Sequence, residues 1–194
     1  MKYYYIYMHD NNKSNYAQLS LAKESMALLQ KKRIKKYASF SGKSLMSQIS
    51  RLTFQYDPDE GDVIEDYMQT TEWEIVSDKL KLVIEQLQTS NLEFIPVSII
   101  NTKTKEVASQ SFFAIVVTEF TDCFRRDMST WFDMKSWISI THLAIDGNRV
   151  QNKNVLRIKE TPHRLVVSEL VYKKCKKEKL TGMSFGKVSV IYEN

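Results

Sequence analysis

The feature that most restricts what this chain can fold into is an internal repeat. Ile75-Val76-Ser77-Asp78 leads into a helical pattern and then into Asn91-Leu92-Glu93-Phe94-Ile95-Pro96-Val97-Ser98-Ile99-Ile100. Shifted by 91 residues, Val166-Val167-Ser168-Glu169 leads into a second helical pattern and then into Gly182-Met183-Ser184-Phe185-Gly186-Lys187-Val188-Ser189-Val190-Ile191. Over 76–100 against 167–191, Val76, Ser77, Phe94, Val97, Ser98 and Ile100 each meet an identical residue. Composition alone gives about one or two such matches in a window of that length.

Each copy has the same physical reading. Ser77 or Ser168 is an N-cap that accepts an orphan helical N–H, and the acid that follows complements the helix dipole. Leu80, Val83, Ile84 and Leu87 then form one apolar face at helical spacing. Asn91 or Gly182 stands where a left-handed residue ends a helix. Phe94 or Phe185 re-enters the core, and an extended apolar run follows as a strand. The second helix is the less apolar, because Lys174 and Glu178 replace Val83 and Leu87.

Around the repeat, residues 3–7 are aromatic and β-prone and read as an opening strand. Residues 15–36 are predicted to form a helix, with Ala22, Met26 and Leu29 on one face and Lys31, Lys32, Arg33, Lys35 and Lys36 at its negative end. Residues 45–56 fit either element, and Asp57-Pro58-Asp59-Glu60-Gly61 is a turn. Phe112-Phe113-Ala114-Ile115-Val116-Val117 is a buried strand, residues 137–145 another, and Asp146-Gly147-Asn148 a turn. Residues 155–158 and 164–167 are two more short strands, parted by Thr161-Pro162-His163. The expected fold is α+β: a mixed or antiparallel sheet, a few packed helices, and strand-helix-strand units at 75–100 and 166–191. With 194 residues and only five Gly and three Pro, the chain has no linker and is expected to be one domain over 1–194. Within it, 1–56 is a basic strand and helix and 70–194 carries the repeat.

The net charge of +5 is an average over opposed blocks: +8 in 1–56, −9 in 57–78, −1 in 79–148 and +7 in 149–194. Nine acids without one base create a long-range field. Asp57, Asp59, Glu60, Asp62, Glu65 and Asp66 are therefore the candidate partner-binding residues. The basic runs at 31–36 and 173–179 keep nucleic-acid binding as the alternative. Lys173, Lys174, Lys176, Lys177 and Lys179 wrap a helix instead of forming one stripe, however, and no ribonucleoprotein motif accompanies them. The opening residues do not read as a signal peptide. No segment approaches the roughly 20 apolar residues that span a bilayer, so no membrane partner is expected. Cys123 and Cys175 are read as reduced thiols of a cytoplasmic protein.

Chemical motifs fail on spacing. His9, His142, His163 and the two cysteines show no metal-ligand spacing, and neither metal nor cofactor is expected. Ser41-Gly42-Lys43-Ser44 resembles the end of a phosphate loop, but Tyr37 stands where that motif needs Gly. Asp57 to Asp62 reverses the Gly and ligand order of a calcium loop. His142, read as a half-buried structural residue, His163 and Cys123 are the only reactive set left for an enzyme. Cys123 reads as a buried small hydrophobe.

The ordered set Ile75-Val76-Ser77-Asp78, Leu92-Glu93-Phe94-Ile95-Pro96-Val97, Phe112 to Val117 with Thr121-Asp122-Cys123, Leu156-Arg157-Ile158-Lys159, and Leu165-Val166-Val167-Ser168-Glu169 ending at Leu180-Thr181-Gly182-Met183-Ser184-Phe185 resembles the eleventh family of polymorphic-toxin immunity proteins. The resemblance covers roughly residues 70–190. It implies a small cytoplasmic protein, encoded beside a secreted toxin, that binds and neutralises that toxin's cognate domain and has no catalytic residues. A net basic chain then meets either an acidic toxin or a basic nuclease on its local 57–78 block.

Overall fold

The computed structural model describes residues 1–8, 15–87, 90–135 and 138–192. The first strands along the chain are β1 (Tyr3–Met8), β2 (Ser20–Leu21), β3 (Leu52–Tyr56), β4 (Tyr67–Gln69) and β5 (Glu74–Ser77). They are followed by β6 (Leu92–Asn101), β7 (Phe112–Val117), β8 (Thr130–Asp133) and β9 (Ile138–His142). The last are β10 (Ala144–Asp146), β11 (Val155–Leu156), β12 (Leu165–Ser168) and β13 (Met183–Ile191). Among the described residues three α-helices join them: α1 (Lys23–Lys31), α2 (Asp78–Glu85) and α3 (Glu169–Lys177). A six-stranded sheet runs β2-β3-β6-β7-β5-β4, a five-stranded sheet runs β10-β13-β1-β12-β11, and β8 and β9 form a separate hairpin. The fold is α+β.

Each copy of the repeat sits in its own sheet. In the first, β7 lies between β5 and β6 and is antiparallel to both. In the second, β1 takes the same place between β12 and β13. Phe113 faces Val76 and Pro96, and Tyr4 faces Val167 and Lys187, which is the same register at the 91-residue shift. Phe94 meets Phe113 edge-on at 6.5 Å and 87°, and Phe185 meets Tyr4 at 6.5 Å and 87°. The helix entrances match as well: the Asp78 N–H donates to Ser111 O at 3.0 Å and the Glu169 N–H to Lys2 O at 2.9 Å. The unit therefore has four elements, and the second copy takes its central strand from the start of the chain.

Burial follows the same equivalence. One cluster draws on both sheets and both helices, with Val76, Leu80, Ile84 and Ile115 matched by Val167, Val171, Cys175 and Ile6. Strand alternation sends Ile75 and Val97 into a second cluster with Phe54 and Trp73. It sends Val166 and Val188 into a third with Tyr3 and Leu156. Both faces of β7 are covered, so Phe112–Val117 is continuously apolar and not alternating.

Three expectations are corrected. The helix predicted over 15–36 spans only Lys23–Lys31. Before it the chain is extended, since β2 pairs with β3. After it Arg33 turns left-handed, and the Ile34 N–H closes on Leu29 O at 2.9 Å. Met26 is exposed; Ser25 is buried instead, its Oγ accepting the Thr53 N–H at 2.7 Å. The strand predicted over 137–145 is two strands in different sheets, broken at buried Leu143, whose carbonyl accepts the Ser189 N–H; Trp137 lies outside the described residues. The left-handed exit of α3 is Lys179, with Leu180 N–H bonded to Cys175 O at 3.0 Å, while Asn91 is not left-handed. Gly182 does have a positive φ, but for another reason: a Cβ there would collide with the Tyr67 carbonyl and Glu65.

Candidate functional site

The acidic segment leaves β3 as a tied turn. Asp57 Oδ1 accepts the Asp59 N–H at 3.0 Å, and Asp57 O accepts the Glu60 N–H at 3.1 Å. The N–H groups of Asp62 and Val63 then donate to Asn15 O at 3.0 and 2.8 Å. Gly61 is packed so closely on the Tyr16 carbonyl that a Cβ would collide with it. Asp59, Glu60 and Asp62 are exposed, Asp57 and Glu65 half-buried, and Asp66 buried.

Asp66 is committed inside the molecule. Its Oδ1 accepts the Ser77 hydroxyl at 2.6 Å, and its Oδ2 accepts the Thr181 N–H at 3.0 Å. Ser77 Oγ in turn accepts the Leu80 N–H at 3.2 Å as the N-cap of α2. The second copy has the counterpart: Ser168 caps α3 and donates to Asn154 Oδ1 at 2.8 Å, and Asn154 Nδ2 donates to Leu87 O at 2.8 Å. Each copy's cap thus holds an Asx side chain that reaches the exit of the other copy's helix. This is the reciprocity that a twofold relation produces.

Three acids of the block of nine pair with bases from distant segments. Asp59 pairs with Lys103, and its hydrogen bond to the ammonium holds that lysine above its ordinary pKa. Glu72 pairs with Lys36 at 3.5 Å. Glu74 pairs with Arg157, both side chains at 0% exposure. The Tyr67 hydroxyl donates to the other Glu74 oxygen at 2.9 Å. Burial first, then the Glu74 charge, pushes the Tyr67 phenol well above 10. Arg157 also donates to the Pro162 carbonyl and lies over the Phe40 ring at 4.9 Å.

The residues weighed for catalysis are dispersed. His142 is exposed, not half-buried, because it ends β9; its Nε2 is 3.0 Å from Ser189 Oγ. His163 is exposed beside a cleft of about 520 Å³ that Phe40, Ile138 and Pro162 help to line. Cys123 is buried, and desolvation followed by the Asp122 charge raises its thiol to about 12. His9 lies outside the described residues. Among the described residues no three His, Cys, Asp or Glu side chains are grouped to hold a metal ion. No helix of the described residues is long and apolar enough to cross a membrane.

Two surfaces escaped sequence reasoning. The β8–β9 hairpin exposes Phe132, with Met128 and Met134 beside it, and carries Arg126 over the Trp131 ring at 3.8 Å. The Met and aromatic density of residues 128–134 was a signal for it. The other is a cleft of about 420 Å³ between α2 and α3. Its signal was Lys174 standing at the repeat position of Val83.

Comparison with known proteins matches the chain, over residues 2–190, to the model of the immunity protein family (Imm11). The match reaches through the first third of the chain, outside the residues 70–190 that carry the resemblance. That extent follows from the fold, since β1 completes the sheet of the second copy. No curated protein matches the chain significantly.

Proposed function

The chain belongs to the immunity protein family (Imm11), and from that premise we propose that it neutralises one cognate toxin domain in the cytoplasm by binding it, not by chemical modification. The observation that carries the reading is the family match over nearly the whole chain. The dispersal of His142, His163 and Cys123 fits it, since a nucleophile needs its base within hydrogen-bond reach.

Asp57, Asp59, Glu60 and Asp62, with Glu65 at the base of the segment, are the proposed acidic edge toward the partner. Asp66 supports that edge from inside. Because Lys103 offsets Asp59, the edge steers association more than it anchors the complex.

The test is co-expression with the C-terminal domain of the secreted protein encoded beside this chain. The expected result is a stable complex and rescue of growth by the chain. Replacing Asp59, Glu60 and Asp62 by their amides slows association and flattens its salt dependence. Absence of any complex, or rescue accompanied by covalent change of the toxin, overturns the reading.

A further inference from the structure

The cleft between α2 and α3 is lined unequally by the two copies. Val83 and Lys174 occupy equivalent repeat positions, as do Gln86 and Lys177, and all four line the cleft. A helix pair built only to pack would put apolar side chains at both members of such pairs. Here α2 supplies Leu82 and Val83, while α3 supplies Lys174 and Lys177, with Leu180 at the end. Leu82 is 54% exposed, and on α3 Leu170 is 49% exposed.

The charges of the cleft are only partly used. Lys174 Nζ donates to Gln86 Oε1 at 2.6 Å, which orders it across the gap. Lys79 and Lys177 are exposed and have no carboxylate partner among the described residues. Glu178 is the single acid of the lining among the described residues. The result is an apolar strip with a net positive rim, and its complement is an apolar side chain flanked by carboxylates. Among the described residues the cleft has no aromatic platform and no arginine in its lining, whereas single-stranded nucleic acid is held by stacking and phosphate is gripped best by arginine.

We propose that the α2–α3 cleft docks an acidic amphipathic segment of the toxin domain, seating an apolar side chain against Leu82 and Val83 with carboxylates toward Lys79 and Lys177. This rests on the toxin-binding reading above. The partner then presents both signs of charge, one to the acidic edge and one to the cleft, which fixes its orientation.

The experiment measures binding of the full chain to the toxin domain encoded beside it, by calorimetry and stopped flow. Leu82→Asp is expected to weaken binding about 30-fold, as for a central anchor. The double variant Lys79→Glu, Lys177→Glu is expected to slow association about tenfold, and Lys79→Arg with Lys177→Arg to restore it. These side chains are exposed, so thermal melts should stay at the wild-type value. A wild-type chain that binds, with variants that bind equally well, overturns the docking site and leaves the toxin reading standing. A wild-type chain that fails to bind overturns both. Polyuridylate competing for the same cleft with equal affinity would assign the surface to nucleic acid instead and overturn the proposal.

Discussion

Arg157→Met is the most telling perturbation of the fold, because it removes one member of a buried ion pair that joins the two sheets. Glu74 sits on β5 in the six-stranded sheet, and Arg157 directly follows β11 in the other. Both side chains are fully buried, so no discount for solvent screening applies. Breaking such a pair by removing one partner costs about 3–5 kcal/mol, since the remaining charge stays in the interior. For a chain of this size each kcal/mol lowers Tm by about 2–4 °C, so the melt should fall by roughly 6–20 °C. Tyr67→Phe should cost less, about 1–3 kcal/mol, because it removes one donor to the same carboxylate. The assay is urea unfolding followed by tryptophan fluorescence and circular dichroism, with equal m-values confirming a common two-state transition. The double variant Glu74→Leu, Arg157→Met removes both charges and should recover most of the loss, within about 2 kcal/mol of wild type. A cost below about 1 kcal/mol for Arg157→Met, or a double variant at the sum of the singles, would mean that the pair does not hold the two sheets together.

Two further outcomes follow from the same contacts. Asp66→Ala should destabilise by about 2–3 kcal/mol, because Ser77 Oγ and the Thr181 N–H lose their acceptor together, whereas Ser168→Ala should cost about 1–2 kcal/mol as a cap. Unchanged urea midpoints, with a loss of toxin binding alone for Asp66→Ala, would return that residue to the interface. Burial, followed by the Asp122 charge at Cys123, raises both cysteine thiols to about 12. At pH 8 neither should react with a disulfide reagent until the protein unfolds, when two thiols titrate; rapid labelling of the native chain would contradict that burial.

The duplication links scaffold to surface. Equivalent positions that face the shared core kept apolar identities, as Val76 and Val167 did. Equivalent positions facing outward diverged, as Gln86 and Lys177 did. A binding face can arise in this way without disturbing the scaffold, because only inward positions carry the packing energy.

What the sequence determined by itself was whatever is decided within about ten residues. The Ser77 and Ser168 caps, the apolar face of α2, and the buried runs at Phe112–Val117 and Leu165–Ser168 are all set by local periodicity and local hydrogen bonding. The helix expected over 15–36 fell outside that limit, because pairing of β2 with β3 outweighed a weak propensity. That Tyr3–Met8 completes the second copy is set by three-dimensional pairing alone, for these strands meet across more than 150 residues of chain. Only the tertiary structure decided the electrostatics, too. The acidic block looked uncompensated in the chain, yet Lys36, Lys103 and Arg157 reach it through space. Coulomb interaction depends on distance in the fold and not along the sequence. Asp66 and Asp62 are four positions apart, but one holds a helix exit inside the molecule and the other meets solvent.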